Sequence, residues 1–115
     1  MAIRGSCHCG AVAYTLDDDP REAMECNCSI CRRKGYLLAF SSADRFTLET
    51  PREALIVYTW NQHVIRHQFC RTCGCAPFGE GIAPDGTAMV AINLRCAENI
   101  DLARIRIQPF DGASL

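Results

Sequence analysis

Cys26-Asn27-Cys28-Ser29-Ile30-Cys31 places three cysteines in six positions, spaced C-x-C-x-x-C, and Arg32-Arg33-Lys34-Gly35 follows directly. Side chains this close in sequence reach a common point only if the backbone wraps around it. Three thiolates gathered in this way leave one position of a tetrahedral ion free, the arrangement of a catalytic zinc. A structural zinc takes four protein ligands and has no vacancy. A closed set of four is available elsewhere, because Cys7-His8-Cys9 lies near the start and Cys70-Arg71-Thr72-Cys73 lies in the second half. Each pair is too small to fill a tetrahedral site, and together they supply four thiolates. The expectation is two zinc ions per chain, one in a closed site and one in an open site, stapling a mainly β fold.

At 115 residues the chain is expected to be a single domain over 1–115. It can bury a core but is small enough for metal cross-links to matter. Hydrophobic content of 49% and charged content of 22% fit a globular protein. A net charge of -1 offers no general attraction to nucleic acid or to an acidic membrane surface. One three-residue basic run is a poor nucleic-acid footprint. No apolar run approaches the roughly 18 residues needed to span a bilayer. Met1 to Gly5 lacks the apolar core of a secretory signal. A reducing cytoplasm is the expected location, where dense cysteines bind metal more often than they form disulfides. Seven of the nine cysteines enter the two sets, leaving Cys75 and Cys96.

Strand signals run through most of the chain. Ala11 to Leu16 alternates, and Asp17-Asp18-Asp19-Pro20 ends it as a turn. Glu22 to Cys26 is a short strand delivering the chain to the three-cysteine stretch. Ser29 to Lys34 reads as one helical turn with Ser29 able to cap it, and its cations make the neighbourhood electropositive, which favours thiolates. Further strands are expected at Tyr36–Ser41, Phe46–Glu49, Leu55–Trp60, His63–Phe69, Thr87–Leu94 and Ile105–Gln108. Asn61-Gln62 reads as a hairpin turn, Phe78 to Ala83 is glycine-rich and unassigned, and Asn99 to Ala103 reads as a helical turn. Gly74 supplies the positive φ that a tight metal knuckle needs. No apolar helix of twelve or more residues is evident.

Each candidate residue has a plainer reading beside the functional one. Cys26, Cys28 and Cys31 hold either an open zinc, with water or a substrate thiol as fourth ligand, or a second structural zinc closed by Cys75, Cys96 or a histidine. His8, His63 and His67 read better as structural histidines than as ligands. Arg32, Arg33 and Lys34 are either a solvated face or a clamp for the carboxylates of an anionic ligand, arginine binding in bidentate fashion. Trp60 reads as sheet packing and Cys96 as a small buried hydrophobe.

With these motifs in order, Cys7-His8-Cys9-Gly10, Cys26-Asn27-Cys28-Ser29-Ile30-Cys31-Arg32-Arg33 and Phe69-Cys70-Arg71-Thr72-Cys73-Gly74, the chain resembles the glutathione-dependent formaldehyde-activating enzyme family. Its members are zinc-binding carbon–sulfur lyase-like proteins related to centromere protein V. The resemblance implies a β-tent fold of packed antiparallel sheets. It implies structural zinc at Cys7, Cys9, Cys70 and Cys73, and a second, catalytic zinc at Cys26, Cys28 and Cys31. The namesake reaction joins glutathione and formaldehyde, reversibly, into S-hydroxymethylglutathione. This chain departs by carrying Asn27 inside the second C-x-C, where histidine is common, and an extra Cys75.

Two functions follow as expectations. One is a zinc-dependent carbon–sulfur lyase acting on a small thiol such as glutathione, with Arg32 and Arg33 contacting its carboxylates and His8, His63 and Asp44 as candidate bases. The other is a non-catalytic zinc module that binds a thiol, a metal or a protein partner. Oligomeric state is not legible.

Overall fold

Short segments of alternating exposure, broken by glycine, proline and aspartate, build most of the regular structure, which the computed structural model describes over residues 2–115. In chain order the elements are β1 (Ile3–Ser6), β2 (Ala13–Leu16), β3 (Glu22–Cys26), helix α1 (Ser29–Lys34), β4 (Leu38–Ser42), β5 (Phe46–Leu48), β6 (Leu55–Tyr58), β7 (Arg66–Cys70), β8 (Phe78–Ile82), β9 (Ala88–Asn93) and β10 (Arg106–Phe110). Single 3-10 turns fill several of the connections. A three-stranded sheet has the order β1-β2-β5, and a seven-stranded sheet has the order β10-β3-β4-β9-β8-β7-β6. The fold is mainly β, as the resemblance implies. All pairings are antiparallel except β10 with β3, which run parallel.

The two sheets face each other across one apolar layer. Tyr14 and Leu16 of β2 turn inward between the part-buried Ala13 and Thr15, the two-residue period of a strand with one buried face. Opposite them, Phe78, Val90 and Ile92 come from β8 and β9 and are at most 1% exposed. The Phe46 ring lies 4.6 Å from Phe78 and 5.3 Å from Tyr14, closing an aromatic trio. Gly5 of β1 sits against the Tyr14 ring, so a side chain there would overlap the phenol.

Several expectations need correction. The strand expected from His63 begins at Arg66. Asn61 and His63 both take φ of 57°, a left-handed backbone that cannot continue a ladder. The turn is therefore longer than Asn61-Gln62, and β6 stops at Tyr58, which pairs with His67. Cys28, not Ser29, is the helix N-cap, and no side chain caps it. The unassigned glycine-rich run is strand β8, paired on both sides by β7 and β9; tertiary pairing overrides the low strand preference of glycine. β1 had no signal of its own. β10 runs through Pro109, which is tolerated because β10 is an edge strand. The acidic turn is not wholly solvated, since Asp18 accepts a hydrogen bond from Ser41 Oγ of β4.

Candidate metal centres

Two tight loops bring the first cysteine set together from opposite sheets. After β1, the chain closes on itself through Cys7 N donating to Val12 O at 2.9 Å, and Gly10 takes a positive φ of 84°. After β7, Gly74 N donates to Cys70 O at 2.9 Å and Gly74 takes a φ of 79°. Glycine pays no Cβ penalty at such angles. The sulfurs of Cys7, Cys9, Cys70 and Cys73 all lie within 4.8 Å of one another. Cys7 Sγ is 3.7 Å from Cys9 Sγ, which is 3.6 Å from Cys70 Sγ. A zinc–sulfur bond of about 2.3 Å implies a sulfur–sulfur edge of about 3.8 Å in a tetrahedron. The donor set therefore fits zinc in type, number and spacing.

Backbone amides turn toward these sulfurs. Val12 N donates to Cys7 Sγ at 3.3 Å, and Thr72 N and Cys73 N donate to Cys70 Sγ at 3.3 and 3.4 Å. Amide donors favour thiolate over thiol. The Cys75 and Cys9 amides are the largest causes that bring Cys73 down to about 5. Cys70 is also lowered, first by the Cys73 amide. Cys9 is pulled down by the Ala11 amide, yet desolvation and shared hydrogen bonds with the other thiols raise it to about 11. The amides thus favour the thiolate at Cys70 and Cys73, as a cation site requires.

The second set forms where β3 runs into α1. Cys26 ends β3, Cys28 caps the helix and Cys31 lies one turn on, its side chain facing inward. Their sulfurs also fall within 4.8 Å of one another. Cys28 N donates to Cys26 Sγ at 3.4 Å. Burial pushes the Cys31 thiol well up. Burial pushes Cys28 up too, but the Cys31 amide and the Cys31 and Cys26 thiols donate to it and hold it below its ordinary value. Neither Cys75 nor Cys96 nor a histidine joins this group. Gly35 ends the helix with a left-handed φ of 69°.

A cavity of about 510 Å³ opens beside this trio, lined by Cys26, Cys31, Arg32, Tyr36, Phe110 and Asp111 among others. Tyr36 is buried, and that burial, followed by the nearby thiols, pushes its phenol up to about 12. The three successive cations separate. Arg32 lines this cavity, whereas Arg33 and Lys34 line a second hollow of about 660 Å³ with Tyr58, Trp60, His67 and Phe69. Arg33 Nη1 donates to Ser29 O at 2.8 Å, and Lys34 Nζ stands 4.8 Å from the Phe69 ring centre. His63, bonded to Thr59 at 2.8 Å, lines neither hollow, and the same holds for His8 and Asp44.

The family model for the glutathione-dependent formaldehyde-activating enzyme matches residues 2–110. The chain belongs to this family. A crystal structure of a Rhodobacter sphaeroides protein is similar in fold, with a TM-score of 0.75, 27% identity, and coverage of 91% of this chain and 99% of that one. Membership associates this formaldehyde-activating-family chain with the chemistry of glutathione and formaldehyde. No helix among the described residues is long and apolar enough to cross a membrane.

In this family member the tertiary structure adds residues that no local sequence pattern singles out. Tyr36 reads as the start of a strand, yet it lines the cavity. Asp111 reaches Asn27 across 84 positions of chain, and Phe110 O accepts from Asn27 N beside it, a separation that no local pattern spans. Cys96, whose thiol burial raises to about 11, lies 3.9 Å from Ala76 O and outside both sets. Trp60 is half-exposed at the rim of the second hollow and not packed within the sheet.

Proposed function

We propose that this chain is a zinc-dependent enzyme that makes or breaks a carbon–sulfur bond on a small thiol of the glutathione type. The observation that carries this reading is the three-sulfur set of Cys26, Cys28 and Cys31, of which Cys26 and Cys31 line the cavity that also holds Arg32 and Tyr36. Three donors leave room for a substrate sulfur, and the four-sulfur set leaves none. Zinc bound there would keep that sulfur as a thiolate near neutral pH and supply Lewis acidity. The chain's own residues do the rest. Arg32 pairs with a substrate carboxylate and orients the thiol. Tyr36, still protonated at neutral pH, donates to the aldehyde oxygen as it gains negative charge. A carbon–sulfur bond forms as the carbonyl π bond opens, and the proton lost by the thiol ends on the new hydroxyl. Residues 1–115 act in this reading as one functional unit in a reducing cytoplasm, in keeping with nine cysteines of which none is in a disulfide.

The test is exchange NMR on glutathione and formaldehyde, because the adduct also forms without a catalyst. Wild type should accelerate interconversion with S-hydroxymethylglutathione, and Cys28→Ser should lose the acceleration while remaining folded. Saturable glutathione binding without faster exchange would sink the enzyme reading and favour a binding module.

A further inference from the structure

The C-terminal turn lies on the second cysteine set. Beyond β10 the chain passes through Asp111 into a 3-10 turn, Gly112–Ser114. A Cβ on Gly112 would overlap Cys26 Sγ and approach Cys28 Cβ to 3.3 Å. Gly112 is absent from the residues with positive φ, so the backbone angle does not demand glycine there. The contact with the sulfur does.

One side chain holds this turn in place. Asn27 stands between Cys26 and Cys28 in sequence, but its amide points outward to the C-terminal segment. Asn27 Nδ2 donates to Asp111 Oδ1 at 2.9 Å, and Ala113 N donates to Asn27 Oδ1 at 2.9 Å. The Asn27 backbone N donates to Phe110 O at 3.1 Å. Ser114 Oγ closes the loop by donating to Asp111 Oδ2 at 2.6 Å. Both functional atoms of the amide are therefore used, one as donor and one as acceptor.

We infer that Asn27 is a positioning residue that clasps the C-terminal turn onto Cys26, so that this turn forms one wall of the second cysteine set and leaves the Arg32 side as the approach for ligands. Only the zinc measurement below rests on the trio holding metal; the packing measurement does not.

Purified protein is treated with iodoacetamide, and alkylation of Cys26 is followed by peptide mass spectrometry. Asn27→Ala should raise the Cys26 rate by about tenfold or more, the scale expected for losing two hydrogen bonds. Asn99→Ala is the control, because Asn99 also ties down a chain end through two bonds, from Arg4 N at 2.9 Å and to Ala2 O at 3.0 Å, away from the trio. It should leave Cys26 at the wild-type rate. The double variant Asn27→Asp with Asp111→Asn reverses donor and acceptor, keeps an acceptor for Ala113 N, and should restore protection. In parallel, 4-(2-pyridylazo)resorcinol should withdraw one zinc faster from Asn27→Ala and the other at the wild-type rate. Equal alkylation in wild type and Asn27→Ala, acceleration in Asn99→Ala as well, or no rescue by the double variant overturns the clasp. Wild type that carries no second zinc but shows the alkylation pattern overturns the metal reading of the trio and leaves the clasp standing.

Discussion

Arg32 and Arg33 are neighbours in sequence and serve different hollows, because successive residues of a helix point about 100° apart. Their substitution should separate accordingly. Arg32→Ala should weaken glutathione binding about tenfold to hundredfold, the cost of a lost bidentate contact to a carboxylate. Arg33→Ala should leave it close to wild type, since Arg33 lines the other hollow and bonds to Ser29 O. Titration calorimetry with zinc measured in parallel decides the matter, and equal affinities for all three proteins would remove Arg32 from the site. Gly5 offers a second test at this scale. Gly5→Ala forces its methyl into Tyr14, and overpacking of a filled core costs about 1–3 kcal/mol. Urea unfolding should show that loss, and a wild-type midpoint would mean the ring moves freely aside. The cysteine residues themselves were legible from spacing, but which arginine faced the thiols was not, because helix phase depends on where the helix begins.

At the scale of elements, the turn Arg52–Ala54 is tied to β7 and β8 by one polar group. Arg52 donates to both oxygens of Glu80, at 3.1 and 3.0 Å, and Gln68 Nε2 donates to Glu80 Oε1 at 2.7 Å. Burial raises the Glu80 carboxyl, but Arg52, Gln68 and Arg66 together outweigh it and the net shift is below the ordinary 4.5. A carboxylate with a depressed folded pKa stabilises the fold fully above its unfolded value. That contribution is lost as pH falls from about 4.5 through the depressed value. Arg52→Ala should therefore destabilise the protein at pH 7 by roughly 1 kcal/mol, a figure reduced for the exposure of the arginine. The gap from wild type should close in acid. Melting curves at pH 7 and at successive pH values below 4.5 test this, and a gap that stays constant as pH falls would assign the effect to packing of the arginine stem. Strands with clean alternation, such as β2, were readable one by one. β8 was not, because two of its five residues are glycine and its place comes from β7 and β9 on either side.

Across the whole molecule, the first cysteine set draws its four sulfurs from both layers and could hold a metal ion between them. Cys7 and Cys9 leave the three-stranded sheet, Cys70 and Cys73 leave the seven-stranded one, and Cys9 meets Cys70 across 61 positions of chain. Metal bound there stabilises the fold directly, since the unfolded chain has no such site. Cys7→Ser should lower the melting temperature sharply, whereas Cys28→Ser should leave a folded protein carrying less zinc. Elemental analysis should give close to two zinc ions per wild-type chain. The reverse order of melting temperatures would exchange the roles of the two sets. Sequence alone determined the cysteine groups, the β class and the punctuation between most strands. These depend on short-range chemistry: thiols two or three positions apart, side chains alternating with period two, and glycine or proline where the chain turns. Only the tertiary structure decided that Arg32 and Tyr36 share a cavity with the trio, that β10 pairs in parallel with β3, and that Asn27 grips the far end of the chain. The last two relations join residues 84 positions apart, and the first depends on where the helix begins and on the segment after β10 closing the cavity; their geometry exists only once the chain has packed.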